Sequence, residues 1–357
     1  MFKGREIVPC AAALFAGNML GSFLMPAPWL CLALSAVLAV LSALLKKGIL
    51  LFATISMLGA ASVQISRMPS GKRDSAIVQK AAAMKSDFSR YLETILPPGS
   101  EESGILKALA IGDKGGVGKE LKEAYRKSGA MHLLALSGLH VGIIYALFSF
   151  LLGFLGGSLF ARRLRTAVTL AFLWSFALIS GLSPSIFRAV LMITFYELAG
   201  CLSASRDGPA ALAGSAIVIM LLQPESPREL SFQLSFSAVA GIFLIYPRLS
   251  LLMKVREHSS FLLNSGGKLL KYVWQTACLS ISCQASCGML AYFYFGTFPK
   301  YFLVTNLLAI PLATLVMYAI AGALVSSLLP FAGNWTAALL DSAIRLLNAT
   351  IKILAQM

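Results

Sequence analysis

Charged residues are scarce in this sequence, and acidic residues are scarcer than basic ones. Only 13% of the 357 residues are charged, with 15 acidic against 30 basic, whereas 58% are hydrophobic. A water-soluble domain is ordinarily about one quarter charged, because its surface has to be hydrated. This composition excludes a soluble globular protein and indicates a membrane protein.

The alternation of polar and apolar residues that marks the strands of a membrane barrel is also missing. Apolar runs of about 20 residues, enough for a helix to cross about 30 Å of hydrocarbon, follow one another instead. We predict an all-α, polytopic integral membrane helical bundle with about 10–11 transmembrane helices. The predicted spans are 7–25, 29–45, 48–66, 132–157, 166–181, 184–202, 209–223, 231–247, 272–295, 301–326 and 334–355, the last of which is either transmembrane or interfacial.

Basic residues concentrate in alternate connections between these spans, as the positive-inside rule expects of cytoplasmic loops. The basic connections carry Lys3, Arg5, Lys46, Lys47, Arg162, Arg163, Arg165, Arg206, Arg248, Lys254, Arg256, Lys268 and Lys271, and the intervening short loops carry only Arg228 and Lys300. This alternation predicts a cytoplasmic amino terminus. Segment 67–130 is then extracytoplasmic, since long segments cross the membrane largely regardless of their charge.

Segment 67–130 is predicted to be a linker with an amphipathic helix at 75–95, a proline-rich stop, and helical stretches at 104–111 and 119–127. It separates three other predicted regions of the chain. These are an N-terminal three-helix membrane region (1–66), a transmembrane core (131–326) and a C-terminal transmembrane or interfacial helix (327–357).

Histidine and cysteine are rare, with three and six residues, which leaves few ligands for a metal site. All six cysteines lie in apolar runs, so we expect packing roles, no disulfides and no cofactor. Cys278, Cys283 and Cys287 share one helix, where packing is favoured over metal binding because no histidine or carboxylate is near. The glycine-rich run 114–119 resembles a phosphate-binding loop, but Glu120 stands where a Mg²⁺-binding serine or threonine should follow. We interpret this run as a solvent loop.

A break in the apolar stretch 166–202 occurs at Gly181-Leu182-Ser183-Pro184-Ser185. A helix stop, an N-cap serine and a proline at the first helical position follow one another there. The pattern predicts one discontinuous helix near 181–188. Two interpretations stay open: a short hairpin between ordinary spans, or a half-helix whose positive amino-terminal end, with Arg188, receives an anionic substrate from outside.

Arg188 and Glu197 are the clearest ionisable residues within predicted spans. A charge at that depth costs about 2.5 kcal/mol or more unless it is partnered or hydrated, so both are functional candidates. Gln233 and Asn306 are polar groups at similar depth, which either join helices or line an aqueous path.

His132, Ser137 and His140 lie at the mouth of a predicted span. Because the G-x-S-x-G pattern and an acidic partner are both missing, polar pore or packing roles are favoured over a hydrolytic triad. Aromatic residues cluster at 292–302. An interfacial belt explains them, and a stacking platform for single-stranded bases is the alternative.

Six sequence blocks follow one another in order: Ala108–Lys114, Ser128–Val141, Gly181–Met192, Gln223-Pro224, Phe232–Phe236 and Asn306–Leu312. Together they resemble the membrane competence domain of the ComEC family, whose members form the inner-membrane channel for transforming DNA. Two other family parts lack a counterpart here. Residues 67–103 are too few for an oligonucleotide-binding barrel, and three histidines cannot supply the ligands of a metallo-β-lactamase-like domain.

The resemblance implies a non-enzymatic, multi-pass channel subunit of the bacterial plasma (inner) membrane that passes single-stranded DNA to the cytoplasm. It implies as partners single-stranded DNA, membrane lipids, a separate cytoplasmic motor ATPase, a periplasmic DNA receptor, a separate nuclease and further copies of the chain in a homo-oligomer. The alternative is a small-solute or lipid transporter built on the same membrane domain. Candidate residues of the DNA path or gate are His132, Ser137, Gly138, His140, Ser183, Pro184, Ser185, Arg188, Glu197, Gln233 and Asn306.

Overall fold

The computed structural model describes residues 7–21, 28–45, 48–67, 76–201, 206–253, 261–296, 301–327 and 333–356. Within these ranges the chain forms helices and no strand, which confirms the predicted all-α class. The α-helices are α1 (Ile7–Gly21), α2 (Pro28–Leu45), α3 (Gly48–Ser66), α4 (Ala76–Leu92), α5 (Glu101–Ile111), α6 (Lys119–Lys127), α7 (Met131–Leu134), α8 (Gly138–Leu151), α9 (Leu159–Ile179), α10 (Pro184–Cys201), α11 (Gly208–Leu222), α12 (Leu230–Ser250), α13 (Phe261–Phe295), α14 (Phe302–Ser326) and α15 (Gly333–Gln356).

The helices have the lengths and composition of a multi-pass membrane protein. Five stretches of the described chain are long and apolar enough to cross a membrane, and they lie on α8 with its following turn, α10, α12, α13 and α14. Four shorter apolar helices are α1, α2, α3 and α11. The predicted spans 166–181 and 334–355 lie on α9, whose first two turns hold three arginines, and on the amphipathic α15. Of the basic residues named above, those outside the described residues are Lys3, Arg5, Lys46, Lys47, Lys254, Arg256 and Lys300.

The predicted break near 181–188 is present. Helix α9 ends at Ile179, and the backbone then passes through two left-handed residues, Gly181 with φ 76° and Leu182 with φ 51°. A positive φ is strained for leucine, so the turn depends on its surroundings. Helix α10 begins at Pro184 and continues for 18 residues, which is the length of a span rather than of a half-helix.

The chain packs as two compact units. The first combines residues 1–74 with 191–240, and the second combines 75–190 with 241–357. In the first unit, α1 and α3 lie so close that a Cβ added at Gly17 would be 1.9 Å from the carbonyl oxygen of Ser56. The Ser56 hydroxyl donates to the carbonyl of Ala13 at 2.8 Å. Small residues and an interhelical hydrogen bond therefore join these helices, as is common in membranes.

Polar contacts fix the loop after α11 within the first unit. The buried Asn18 side chain on α1 donates to the carbonyl oxygens of Met220 at 3.4 Å and Pro224 at 3.1 Å. Arg67 forms a two-pronged contact with Glu225, with N–O distances of 2.5 and 3.2 Å. The hydrogen bond from Arg67 lowers the pKa of the Glu225 carboxyl below its ordinary value.

Among the described residues, the second unit has an extended hydrophobic core that includes α5. Ser100 caps α5 by accepting the amide of Ser103 at 3.1 Å, and Gly112 ends the helix in the left-handed conformation with φ 71°. Every residue from Ser103 to Ile111 except Lys107 is buried. The core continues onto the facing sides of α14 and α15. A segment predicted as part of a linker therefore supplies core residues.

Candidate functional site

Sequence blocks that are far apart in the chain meet in the second unit. A Cβ added at Gly112 would be 2.8 Å from Leu136 Cδ1, so the block 108–114 packs against the block 128–141. A Cβ added at Gly138 would be 3.6 Å from Ala189 Cβ, which brings the start of α8 against the first turns of α10. The Thr305 hydroxyl donates to the carbonyl of Ser128 at 2.7 Å and places the start of α14 beside the same segment.

Ser137 and His140 form a local contact at the amino end of α8. The Ser137 amide donates to His140 Nδ1 at 3.4 Å, and the Ser137 hydroxyl oxygen lies 3.1 Å from the same nitrogen. When Nδ1 accepts from the amide, a neutral ring carries its proton on Nε2. That Nε2 is buried and has no hydrogen-bond partner among the described residues. No described carboxylate orients the ring, so the pair caps a helix in the manner of a capping box and does not form a triad.

His132 lies on the short helix α7 that precedes this contact. Its Nδ1 is 3.1 Å from the carbonyl oxygen of Gly129, to which it donates, and its side chain is exposed. Gly129 has a φ of 79°, so the backbone turns sharply there. His132 therefore stabilises the turn between α6 and α7.

Arg188 is a buried charged residue at the place where these sequence blocks contact one another. It is 3% exposed, and its Nη2 donates to the Ser185 hydroxyl one turn earlier at 3.2 Å. Pro184 is exposed at the first position of α10, and the Ser183 hydroxyl just before it is buried without a hydrogen-bond partner among the described residues. The helix break thus presents a guanidinium and two hydroxyls at the amino-terminal end of α10, where backbone amides favour anions.

Glu197, Gln233 and Asn306 each contact another residue of the chain. Glu197 is 5% exposed and forms an ion pair with Arg206 at 2.8 Å, in the first unit. The Gln233 amide, also in the first unit, donates to the carbonyl of Pro227 at 2.9 Å and closes the turn before α12. The Asn306 amide donates to the Ser280 hydroxyl at 3.3 Å, which joins α13 and α14. Each of these three side chains therefore has a contact within its own unit, and Asn306 belongs to one of the blocks that meet.

The glycine-rich run packs as a structural loop. A Cβ added at Gly104 on α5 would be 2.4 Å from the carbonyl oxygen of Gly116, so the loop backbone lies directly on α5. The Gly115 amide donates to Asp113 Oδ1 at 2.9 Å, and the glycines at 115 and 116 are exposed. The loop amides are therefore used within the fold or face solvent, in agreement with the predicted solvent loop.

Lys85 on α4 was not a candidate from the sequence, yet it lies at the helix break. Its Cδ is 3.1 Å from the position that a Cβ on Gly181 would take. Beside it, α4 and the end of α5 border an open cleft of about 360 Å³ lined by Lys85, Arg90 and Asp113, among others. No motif marks Lys85, because the contact depends on how α4 packs beside the α9–α10 turn.

Two further groups noted in the sequence, an aromatic cluster and a set of cysteines, lie on α13. The aromatic residues Tyr292, Phe293, Tyr294 and Phe295 are all exposed at the end of α13, which fits either interpretation of that cluster. The Cys287 thiol donates to the carbonyl of Cys283 at 2.8 Å, a contact within α13.

Comparison with known proteins identifies the family. The family model described as competence protein matches residues 109–357. The chain is 37% identical over 166 residues to ComE operon protein 3 of Bacillus subtilis (strain 168), covering 46% of this chain and 21% of the relative. It is 28% identical over 250 residues to competence protein ComA of Neisseria gonorrhoeae, covering 65% of this chain and 31% of the relative. It is 24% identical over 174 residues to the uncharacterized protein YcaI of Escherichia coli (strain K12), covering 48% and 23%.

The chain spans less than a third of the length of each of these relatives. No solved structure matches it. The matched residues include the four blocks that meet in the second unit, apart from the first residue of the block 108–114. The family match covers more than half of the sequence, and the chain belongs to the competence protein family.

Proposed function

We propose that this chain is a subunit of an inner-membrane channel that passes single-stranded DNA into the cytoplasm during natural transformation. Membership of the competence protein family supports a role in DNA uptake. The observation that carries the channel assignment is the convergence of four family blocks beside the buried Arg188 at the start of α10.

The chemistry of that convergence suits a polyanion. An arginine buried in a membrane-spanning helix is costly, so its position there makes it a functional candidate. Its fork of donors matches a phosphate, and the amino-terminal turn of α10 adds partial positive charge at the same place. Contacts of this kind bind the backbone of a strand without reading its sequence.

The proposed transport of DNA also needs other proteins. The glycine-rich loop packs on α5 and lacks the features of a nucleotide site, so a separate cytoplasmic motor ATPase would drive transport. We also propose a periplasmic DNA receptor, a separate nuclease and a homo-oligomeric assembly. The amino terminus is proposed to be cytoplasmic, as the basic loops indicate.

Replacement in a naturally competent host tests this proposal. The host's own channel gene is replaced by this one, and cytoplasmic uptake of labelled DNA is measured for the wild type, Arg188→Ala and Arg188→Lys. Arg163→Ala is the matched control, since Arg163 is an exposed arginine at the start of α9. We expect uptake to fall at least tenfold with Arg188→Ala, because a charge-assisted contact contributes about 1.5–3 kcal/mol. Arg188→Lys should retain part of the uptake and Arg163→Ala most of it.

Two results would contradict the proposal. Equal uptake by the wild type and Arg188→Ala, with insertion of both confirmed, would show that the convergence is not part of the DNA path. Absence of uptake by an inserted wild type beside the host's other components would favour the small-solute or lipid transporter.

A further inference from the structure

We propose that the cleft between α4 and the end of α5 binds one nucleotide of the incoming single strand, with its phosphate on Lys85. This inference rests on the proposed function and adds a binding site built mainly from α4 residues that no sequence motif marks. Its walls are Lys85, Ser86, Ser89 and Arg90 from α4, Ile111 from the end of α5 and Asp113 from the loop that follows.

The location links the cleft to the site described above. Asp113 belongs to the block 108–114, and Lys85 contacts the turn at Gly181 that precedes α10. A strand held in this cleft therefore lies beside the break that leads to Arg188. All of these residues belong to the second unit.

The charges in the cleft leave Lys85 available for an anion. Arg90 pairs with Asp87, three residues earlier on the exposed face of α4. Lys85 forms no ion pair with any described residue. An ammonium group with two neighbouring hydroxyls, from Ser86 and Ser89, can donate several hydrogen bonds to one phosphate.

The remaining groups favour a nucleotide over a lipid headgroup. A volume of about 360 Å³ is at the lower end of the range for small-molecule sites, which is roughly 300–1,000 Å³, and suits one nucleotide. Asp113 Oδ1 accepts the Gly115 amide, and its second oxygen can accept an amino group of a base. Only Ala82 and Ile111 line the cleft with apolar side chains, which is too little surface to cover acyl chains.

Salt-dependent binding measures the contact directly. The full chain in neutral nanodiscs is titrated with a fluorescent single-stranded oligonucleotide of about 12 nucleotides, and the dissociation constant is followed from about 50 to 200 mM salt. We expect Lys85→Gln to lower the slope of log affinity against log salt by about 0.7, the value for one phosphate contact with a single strand. Lys85→Arg should keep the slope. Lys80→Gln is the matched control, because Lys80 is exposed on the same helix and lies outside the cleft.

Each alternative outcome has a distinct meaning. Equal effects of Lys80→Gln and Lys85→Gln would indicate diffuse surface charge and overturn the site. If Lys85→Gln binds the oligonucleotide with the wild-type salt dependence and the competent host still takes up DNA, the proposed site is wrong and the proposed channel function stands. Vesicles containing phosphatidylglycerol that bind through Lys85 while the oligonucleotide does not would identify a lipid site instead. Absence of DNA uptake by the wild-type chain in the host replacement experiment would count against the channel function, and that experiment is independent of the binding assay.

Discussion

Replacing Gly17 by alanine tests whether close contact between α1 and α3 holds the first unit together. An ordinary van der Waals contact begins at 3.4 Å, whereas the new Cβ would lie 1.9 Å from the Ser56 carbonyl oxygen. The two helices must therefore separate by about 1.5 Å, the difference between these distances. The obstacle is backbone, so rotation of a side chain cannot relieve it.

The expected cost follows from three contributions. Overpacking costs about 1–3 kcal/mol, and separation also breaks the hydrogen bond from Ser56 to Ala13, worth about 0.6 kcal/mol between membrane helices. The higher helix propensity of alanine offsets about 0.5–1 kcal/mol of this loss in the free energy of unfolding. Gly17→Ala should therefore destabilise the protein by roughly 1–3 kcal/mol.

Gly142→Ala provides the matched control. Gly142 lies inside α8, and an added Cβ there has no neighbour within 4 Å. Thermal unfolding in detergent should show a lower midpoint for Gly17→Ala and an equal or higher midpoint for Gly142→Ala. If both substitutions leave the midpoint unchanged or raise it, the close approach of α1 to α3 is wrong.

Two further predictions concern other contacts. The pKa of Glu225 is lowered in the folded protein by Arg67, so this pair stabilises the fold above the unfolded pKa of about 4.3 and loses its effect as the pH falls through the lower folded value. The unfolding midpoints of the wild type and Glu225→Gln should converge on acidification, and the gap at neutral pH should be small, since a half-exposed pair contributes about 0.2–1 kcal/mol. Gly104→Ala should lower the midpoint, because its Cβ would lie 2.4 Å from the Gly116 carbonyl oxygen, whereas Gly118→Ala meets no atom within 4 Å and should not.

Local signals in the sequence predicted the helices well. The span predicted at 48–66 coincides with α3, the helical stretch predicted at 119–127 coincides with α6, and the predicted break lies between α9 and α10. These features depend on apolar run length and on glycine, serine and proline at helix ends, which act over a few residues. Such signals are readable without knowledge of any tertiary contact.

The contacts that build the site act over longer distances and were not predicted. The sequence identified Glu197 as needing a partner but did not show that Arg206 supplies it. It also gave no sign that Lys85 reaches the turn at Gly181, or that the chain buries α5 on nearly every side. Apolar periodicity describes one face of one helix, so it cannot identify the neighbour on that face.

The burial of α5 also determines when the second unit can be completed during synthesis. Eleven residues span only about 16 Å, so α5 cannot cross a membrane alone. Its apolar side chains pack against α14 and α15, which leave the ribosome long after α5 because eight helices lie between α5 and α14. The middle of the unit therefore assembles only after α14 and α15 have been made. A nascent chain that stops before α14 leaves the apolar surface of α5 uncovered, which marks it for quality-control proteases.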